Sequence, residues 1–121
     1  IRDSINHRNN TSTTRKEDLT HRFYTLMMDN YREHKEVIFY ADKLHVSSKY
    51  LSEVVKETSG KSPKDWIIDY SLLEIKELLK NSSLNIQEIT IRTKFLNQSA
   101  LGRFFKRHTN MSPSEYREST Y

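Results

Sequence analysis

All charged side chains of Lys, Arg, Asp and Glu type between residues 89 and 114 are cationic. This segment contains no Asp or Glu, and its cations are Arg92, Lys94, Arg103, Lys106 and Arg107. Lysine and arginine at this density attract phosphates and other polyanionic groups. The segment 36–60, in contrast, mixes both signs of charge. We therefore expect the later segment to supply more of any sequence-independent attraction to a polyanion.

Side chains that could catalyse a reaction or ligate a metal do not converge in the sequence. The five histidines are scattered, at His7, His21, His34, His45 and His108. The sequence has no HExxH motif, no glycine-rich phosphate loop and no nucleophile elbow. It also lacks cysteine, which excludes disulfides and thiolate chemistry and is typical of a reducing cytoplasm. We therefore expect no enzyme activity, no cofactor and no metal site, and a cytoplasmic location.

The composition favours a small all-α protein. A chain of 121 residues suffices for one compact domain or two very small ones. With only two Gly and two Pro, and with 30% charged residues, it has little of the turn chemistry that β folds need. No apolar run reaches the length that spans a membrane, so we expect no membrane association.

The first 15 residues differ in character from the rest. Residues 1–15 are polar and lack a periodic apolar face, so we interpret them as a flexible linker from a missing N-terminal domain. The folded part is then 16–121, and it begins with a helix over 16–33. Apolar residues recur there at steps of three and four, at Leu19, Phe23, Leu26, Met27 and Tyr31.

Capping residues and apolar spacing predict six further helices. The segments are two helices over about 37–60 with a break at His45, a linking helix over about 63–80, two helices over about 86–109, and a last helix after Ser112. The expected caps are Ser47, Ser62, Asn85 with Glu88, and Ser112 with Glu115. Seven helices result, joined by short turns.

The sequence repeats itself at a distance of 50 residues. The aligned pairs keep their character: Leu51 with Leu101, Val54 with Phe104, Lys56 with Lys106, Ser62 with Ser112, and Pro63 with Pro113. In the first copy, Ala41, Val46, Leu51 and Val54 have the spacing of the buried positions of a helix-turn-helix. In the second copy these positions fall on Thr90, Phe95, Leu101 and Phe104, with a turn one residue longer.

Two stretches carry a family resemblance. Residues 40–63 read YADKLHVSSKYLSEVVKETSGKSP, and residues 86–117 read IQEITIRTKFLNQSALGRFFKRHTNMSPSEYR. They resemble the motifs YA-x-x-L-x-V-S-x-x-Y-L-S and S-x-F-x-R-x-F-K-x-x-x-G-x-S-P-x-x-Y-R of the AraC/XylS family of bacterial transcription activators. The resemblance covers roughly residues 20–118. It implies an all-α DNA-binding domain in which a long linking helix joins two helix-turn-helix subdomains.

Five positions depart from the family pattern. Lys94 and Asn110 stand where the family usually has Gly, Thr90 where it has Ala, and Ser71 and Ile75 where it has Arg and Ala. Asparagine tolerates a positive φ better than most residues, so Asn110 can end a helix, whereas Lys94 introduces strain in its turn.

Outward residues near the start of each second helix are the candidates for reading bases in a major groove. They are Lys49, Ser52 and Glu53 in the first unit, and Gln98, Ser99, Gly102 and Arg103 in the second. Arg103 and Lys49 suit guanine, Gln98 suits adenine and Glu53 can accept from cytosine. The candidates for phosphate contacts are Ser47, Lys56, Lys106 and Arg107.

The linking helix sets the expected scale of the recognition. A helix over 63–80 spans roughly 25 Å, which is compatible with two recognition helices about one DNA turn, roughly 34 Å, apart. One molecule is thus expected to read two adjacent groove segments of a double-stranded operator, bending the DNA where the spacing differs.

The resemblance also implies properties of a longer protein. Family members usually carry an N-terminal ligand-sensing and dimerisation domain and contact RNA polymerase when they activate transcription. We accordingly expect a monomeric fragment of a protein that can dimerise through the missing domain. Fusion to a sensor kinase is a related arrangement. A helical module that has lost DNA binding and binds protein is the alternative, to which Glu53 on the first recognition helix gives some support.

Overall fold

A computed structural model describes residues 11–120 and the side chains of 15–120. This part of the chain folds into seven α-helices without a strand, which confirms the predicted all-α class. The helices are α1 (Thr11–Asn30), α2 (Val37–Lys43), α3 (Ser48–Ser59), α4 (Pro63–Asn81), α5 (Ile86–Arg92), α6 (Gln98–Thr109) and α7 (Pro113–Glu118). None of these helices combines the length and the hydropathy needed to cross a bilayer.

Helix α1 begins earlier than the sequence pattern indicates. Residues 11–15, interpreted above as part of a linker, are the first turn of this helix. The segment contains neither Pro nor Gly, so nothing in its covalent chemistry stops the helix from extending toward the N-terminus. The rest of the proposed linker, residues 1–10, lies outside the described residues.

Side-chain caps lie at the starts of α3, α4, α5 and α7, as expected. Ser47 accepts a hydrogen bond from the Tyr50 N–H at 3.0 Å and Ser62 accepts one from the Asp65 N–H at 3.2 Å. Reciprocal capping boxes join Asn85 with Glu88 and Ser112 with Glu115. Each cap satisfies an N–H group that the helix itself leaves without a partner.

Two compact units divide between Ile67 and Ile68, inside α4. In unit 1, α1 packs against α2 and α3. The buried side chains are apolar with few exceptions, and Phe23 meets Tyr40 edge to face with ring centres 5.4 Å apart. The Tyr40 hydroxyl donates to the His34 carbonyl at 2.7 Å, which satisfies the polar end of a side chain that is otherwise fully buried. Burial, with a smaller contribution from Glu36, raises the Tyr40 pKa far above its usual range.

Unit 2 has its own apolar core. Its fully buried members come from α4, α5 and α6, namely Ile75, Leu79, Ile89, Leu101 and Phe105. Partly buried residues close the cluster at its margin, among them Phe95, Phe104 and Tyr116. Ile75, one of the departures from the family pattern, is fully buried and fills space that a smaller residue would leave open.

The C-terminal end of α4 forms hydrogen bonds with Arg117, near the end of α7, and with Ser119, which follows α7. Arg117 donates from Nε to the Leu79 carbonyl at 2.8 Å and from Nη2 to the Leu78 carbonyl at 3.2 Å. Lys80 donates from Nζ to the Ser119 carbonyl at 2.6 Å. Cations at this position satisfy carbonyls at the end of the helix and interact favourably with its dipole. Arg117 therefore has a structural role that sequence reasoning did not assign.

One buried hydroxyl group in α4 has no hydrogen-bond partner among the described residues. Ser71 is 3% exposed, and among the described residues its hydroxyl has no hydrogen-bond partner. The next buried residues on this face of α4 are Ile75 and Leu79, so the hydroxyl sits in line with apolar core side chains. A buried hydroxyl without a partner costs free energy because it gives up its bonds to water.

Replacing Ser71 by alanine is expected to stabilise unit 2. The change removes the unsatisfied hydroxyl and raises helix propensity, together about 0.5–1.5 kcal/mol. Amide hydrogen exchange in α4 to α6 measures the gain. The control is Ser82→Ala, which removes a hydroxyl that donates to the Leu78 carbonyl at 2.6 Å and should lower stability. A decrease of stability in Ser71→Ala would contradict this account.

Candidate nucleic-acid interface

In unit 1, α2, a four-residue turn and α3 form a helix-turn-helix. Ala41 on α2 is 1% exposed, and the small side chain lets the two helices approach closely. The turn closes through a hydrogen bond from the Val46 N–H to the Ala41 carbonyl at 3.0 Å. His45 takes φ +60°, a left-handed conformation that is uncommon outside glycine. The break expected at His45 is therefore a tight, specifically shaped turn.

The second unit repeats this arrangement with α5 and α6. The Phe95 N–H donates to the Thr90 carbonyl at 3.1 Å, and Lys94 takes φ +65°, matching the strain expected where the family has Gly. The connection holds one residue more than in unit 1, as the internal repeat indicated. The additional residue is Leu96, which lies between Phe95 and the Asn97 cap and is 91% exposed. The two turns thus share their conformation but differ in length.

Buried positions of the second helix-turn-helix agree with expectation in part. Thr90 is 2% exposed, and its hydroxyl donates to the Ile86 carbonyl at 2.8 Å, so a threonine fits where the family has alanine. Phe95 and Phe104 were expected in the core but are only partly buried, and they pack beside each other with ring centres 5.2 Å apart. The neighbouring Phe105 is fully buried, as is the corresponding Val55 of unit 1.

Helix α3 presents the first set of candidate residues on one side. Lys49, Ser52, Glu53 and Lys56 follow helical spacing, and all are exposed except Ser52, which is half-buried. Leu51 and Val54 lie on the opposite side and are buried. Packing in the core therefore fixes the direction of the polar side.

Helix α6 presents the second set in the same way. Its outward residues are Gln98, Ser99, Gly102, Arg103, Lys106 and Arg107, all exposed except the half-buried Gly102. A Cβ added at Gly102 would meet no atom within 4 Å, so packing inside the protein does not require glycine there. The missing side chain lowers the surface between Ser99 and Arg103 and permits close approach of a ligand.

Charge differs between the two helices. On α3, Glu53 and Glu57 accompany the lysines, and Glu57 pairs with Lys16 of α1 at 3.2 Å. On α6, the position that corresponds to Glu53 is Arg103, and no acid lies on the helix. Beyond α6, Glu115 has its pKa lowered first by hydrogen bonds with Ser112 and then by the charge of Lys106. Helix α6 therefore carries a more cationic surface than α3.

One further residue joins the second set, although sequence reasoning did not select it. Gln87 on α5 accepts a hydrogen bond at 2.8 Å through its Oε1 from Nε2 of Gln98, the first residue of α6. Both side chains are exposed. The two residues are eleven positions apart, and neither helix periodicity nor a motif links them.

Two of the four histidines in the described part of the chain lie against aromatic rings. The His34 ring stacks on Phe39 with centres 3.7 Å apart, and His108 lies 4.9 Å from Phe104. No three His, Asp or Glu side chains between residues 15 and 120 are grouped to hold a metal ion.

Comparisons with known proteins extend these observations. The uncharacterized HTH-type transcriptional regulator YobQ of Bacillus subtilis (strain 168) is 32% identical over 77 residues, which cover 64% of this chain and 32% of YobQ. The C-terminal domain of AraT, a response regulator from Geobacillus stearothermophilus, superposes with a TM-score of 0.73 at 26% identity, covering 85% of this chain and 89% of that domain. The DNA-binding domain of AdpA, solved in complex with a target DNA, has the same fold, with a TM-score of 0.69 at 23% identity over 81% of this chain and 88% of that chain.

The extent of the matches defines what they show. The chain spans about a third of the length of the curated relatives that it matches. The model of the helix-turn-helix domain family matches residues 40–119, which is more than half of the chain and includes both helix-turn-helix units. With this match and the repeated motifs on α3 and α6, the chain belongs to the AraC/XylS-type helix-turn-helix family of transcription regulators.

Proposed function

We propose that this domain binds a double-stranded operator by placing α3 and α6 in two adjacent segments of the major groove. The observation that carries the proposal is the pair of capped, twelve-residue helices, each with a buried apolar side and an exposed polar side. An α-helix fits the major groove, where each base pair presents a distinct pattern of donors and acceptors.

Base recognition is assigned to the outward side chains near the start of each helix. Arg103 on α6 can donate two hydrogen bonds to guanine, and Gln98 can pair with adenine. On α3, Lys49 can donate to guanine and Glu53 can accept from cytosine. Ser52, Ser99 and Gly102 complete the two surfaces by small size and, for the serines, by hydroxyl groups.

Phosphate contacts are assigned to the flanking residues. Lys56 on α3 and Lys106 and Arg107 on α6 are exposed cations beyond the base-reading positions. Ser47 already accepts from the Tyr50 N–H, and its own hydroxyl proton remains available to a phosphate oxygen. The positive end of the α3 dipole favours an anion at the same place.

At the level of the whole protein, we propose a cytoplasmic transcription activator whose other domains lie outside this chain. Contact with RNA polymerase and dimerisation through an N-terminal domain belong to this proposal, and the domain alone is expected to be a monomer. Its role is DNA binding and not catalysis.

Selection of bound duplexes from a random DNA library tests the proposal. The wild-type chain is expected to enrich a bipartite motif with halves about one helical turn apart. Arg103→Ala should lose one half of the motif. Arg92→Ala removes the same charge from α5, outside the proposed reading surfaces, and should keep both halves.

Two results would contradict dual-groove reading. Enrichment of no motif would mean that the domain holds DNA only through its charge. Absence of binding to any duplex at low salt would instead favour a protein-binding module, for which Glu53 on α3 would be an ordinary surface acid.

A further inference from the structure

The contact between Gln87 and Gln98 crosses from α5 to α6 at the edge of the proposed reading surface. Gln98 opens α6, directly after the Asn97 cap, whose side chain accepts from the Ala100 N–H at 2.8 Å. The Gln98 Nε2 donates to Gln87 Oε1 at 2.8 Å. Because both side chains are exposed, the contact does not contribute to the core.

The direction of this hydrogen bond determines what Gln98 can offer to a base. A glutamine pairs with adenine by accepting from N6 through Oε1 and donating to N7 through Nε2. The Nε2 group carries two protons, and Gln87 uses one of them. The second Nε2 proton and the Oε1 acceptor take no part in this hydrogen bond, and adenine requires one donor and one acceptor.

The opposite orientation of the Gln98 amide would change the base preference. If the amide turned by half a rotation, Nε2 would take the place of Oε1 and would face an acceptor such as guanine O6. In that orientation Gln98 Oε1 and Gln87 Oε1 would face each other, and the Gln87 amide would have to turn as well to restore a hydrogen bond. The contact thus couples the orientations of the two amides, and it reduces the rotamer freedom that Gln98 loses on binding.

We propose that Gln87 is a positioning residue that holds the Gln98 amide in place for adenine and so strengthens the base preference at one position of the operator. This inference rests on the proposed DNA-binding function. In this arrangement α5 lies outside the groove, and its residue Gln87 affects the base preference through Gln98 of α6.

The test is a cycle of Gln87→Ala, Gln98→Ala and the double variant, measured on operators that differ at one base pair. The position is the one at which Gln98→Ala loses its preference in the library selection. Wild type is expected to prefer adenine over guanine there by roughly tenfold, the size of one bidentate contact. Gln87→Ala should reduce this preference severalfold, and the double variant should behave like Gln98→Ala.

A conservative variant separates orientation from other roles. Gln87→Glu keeps an acceptor beside Gln98 Nε2 and should retain the preference for adenine, although its charge weakens binding to every duplex. In the free protein, ¹⁵N relaxation of the Gln98 side-chain amide should show greater mobility in Gln87→Ala than in wild type.

Three outcomes would overturn the inference. The first is an unchanged base preference in Gln87→Ala. The second is an equal decrease of affinity for all operators that persists in the Gln98→Ala background, which would make Gln87 a direct phosphate contact. The third is a wild-type preference for a base other than adenine at the operator position that Gln98 recognises. Failure of the wild-type chain to bind any duplex would instead refute the proposed function itself, so the two failures are distinguishable.

Discussion

Replacing Phe105 by alanine is expected to destabilise unit 2 strongly. The Phe105 side chain is fully buried among residues of α4, α5 and α6, and its ring lies 5.4 Å from that of Tyr116 on α7. Truncation of a buried phenylalanine costs about 3–5 kcal/mol, and a unit of this size has little stability in reserve. Amide exchange in α5 to α7 should accelerate between about a hundredfold and several thousandfold.

A matched change in the first unit provides the control. Val55 occupies the corresponding position on α3 and is also fully buried. Trp66, the single tryptophan, lies in unit 1, where its ring is 5.8 Å from Tyr24 and its indole N–H donates to Ser59. Val55→Ala should therefore shift the urea midpoint followed by Trp66 fluorescence. Full retention of amide protection in α6 of Phe105→Ala would show that the core does not depend on this ring.

The double variant Arg103→Gln with Lys106→Gln is expected to weaken DNA binding strongly and to change its dependence on salt. Each phosphate that the protein no longer neutralises reduces the magnitude of the slope of log K against log salt by about 0.9. Removal of Lys106, which is assigned to a phosphate, should reduce this magnitude by about 0.9, and removal of the Arg103 charge should add a smaller reduction. The affinity at moderate salt should fall by roughly tenfold to a hundredfold. Fluorescence anisotropy over a salt series measures both quantities.

An equal removal of charge from α3 provides the comparison. Lys49→Gln with Lys56→Gln removes two cations from a helix that also carries Glu53 and Glu57. Because these acids already weaken the local attraction to phosphate, the change in slope should be smaller than on α6. Equal slopes for the two double variants would refute the assignment of most electrostatic affinity to unit 2.

Local chemistry made much of the fold predictable. The helix starts at Ser47, Asn85 and Ser112 follow from short-range capping rules, which need only a few consecutive residues. The 50-residue repeat adds information because corresponding positions in the two copies constrain each other. The same repeat placed the candidate residues of α3 and α6 on exposed sides, where the structure has them.

Contacts between distant residues were not predictable in this way. The hydrogen bond of Gln87 with Gln98 depends on how α5 and α6 cross, and the Arg117 bonds to α4 join residues 38 and 39 positions apart. Periodicity also does not decide between neighbouring aromatic residues, because the apolar face of a helix is at least about 100° wide and can include two successive side chains, which differ by about 100°. Packing in three dimensions placed Phe105, not Phe104, at the centre of the core.

The ends of α3 and α6 have a consequence for how operator preference can evolve. Both helices have twelve residues, begin with a side-chain cap at Ser47 or Asn97, and end at a left-handed residue, Gly60 or Asn110. None of these end positions belongs to the proposed base-reading set. The caps and the left-handed residues therefore fix where α3 and α6 begin and stop, and point mutations at the proposed base-reading positions can change the base preference without moving these ends.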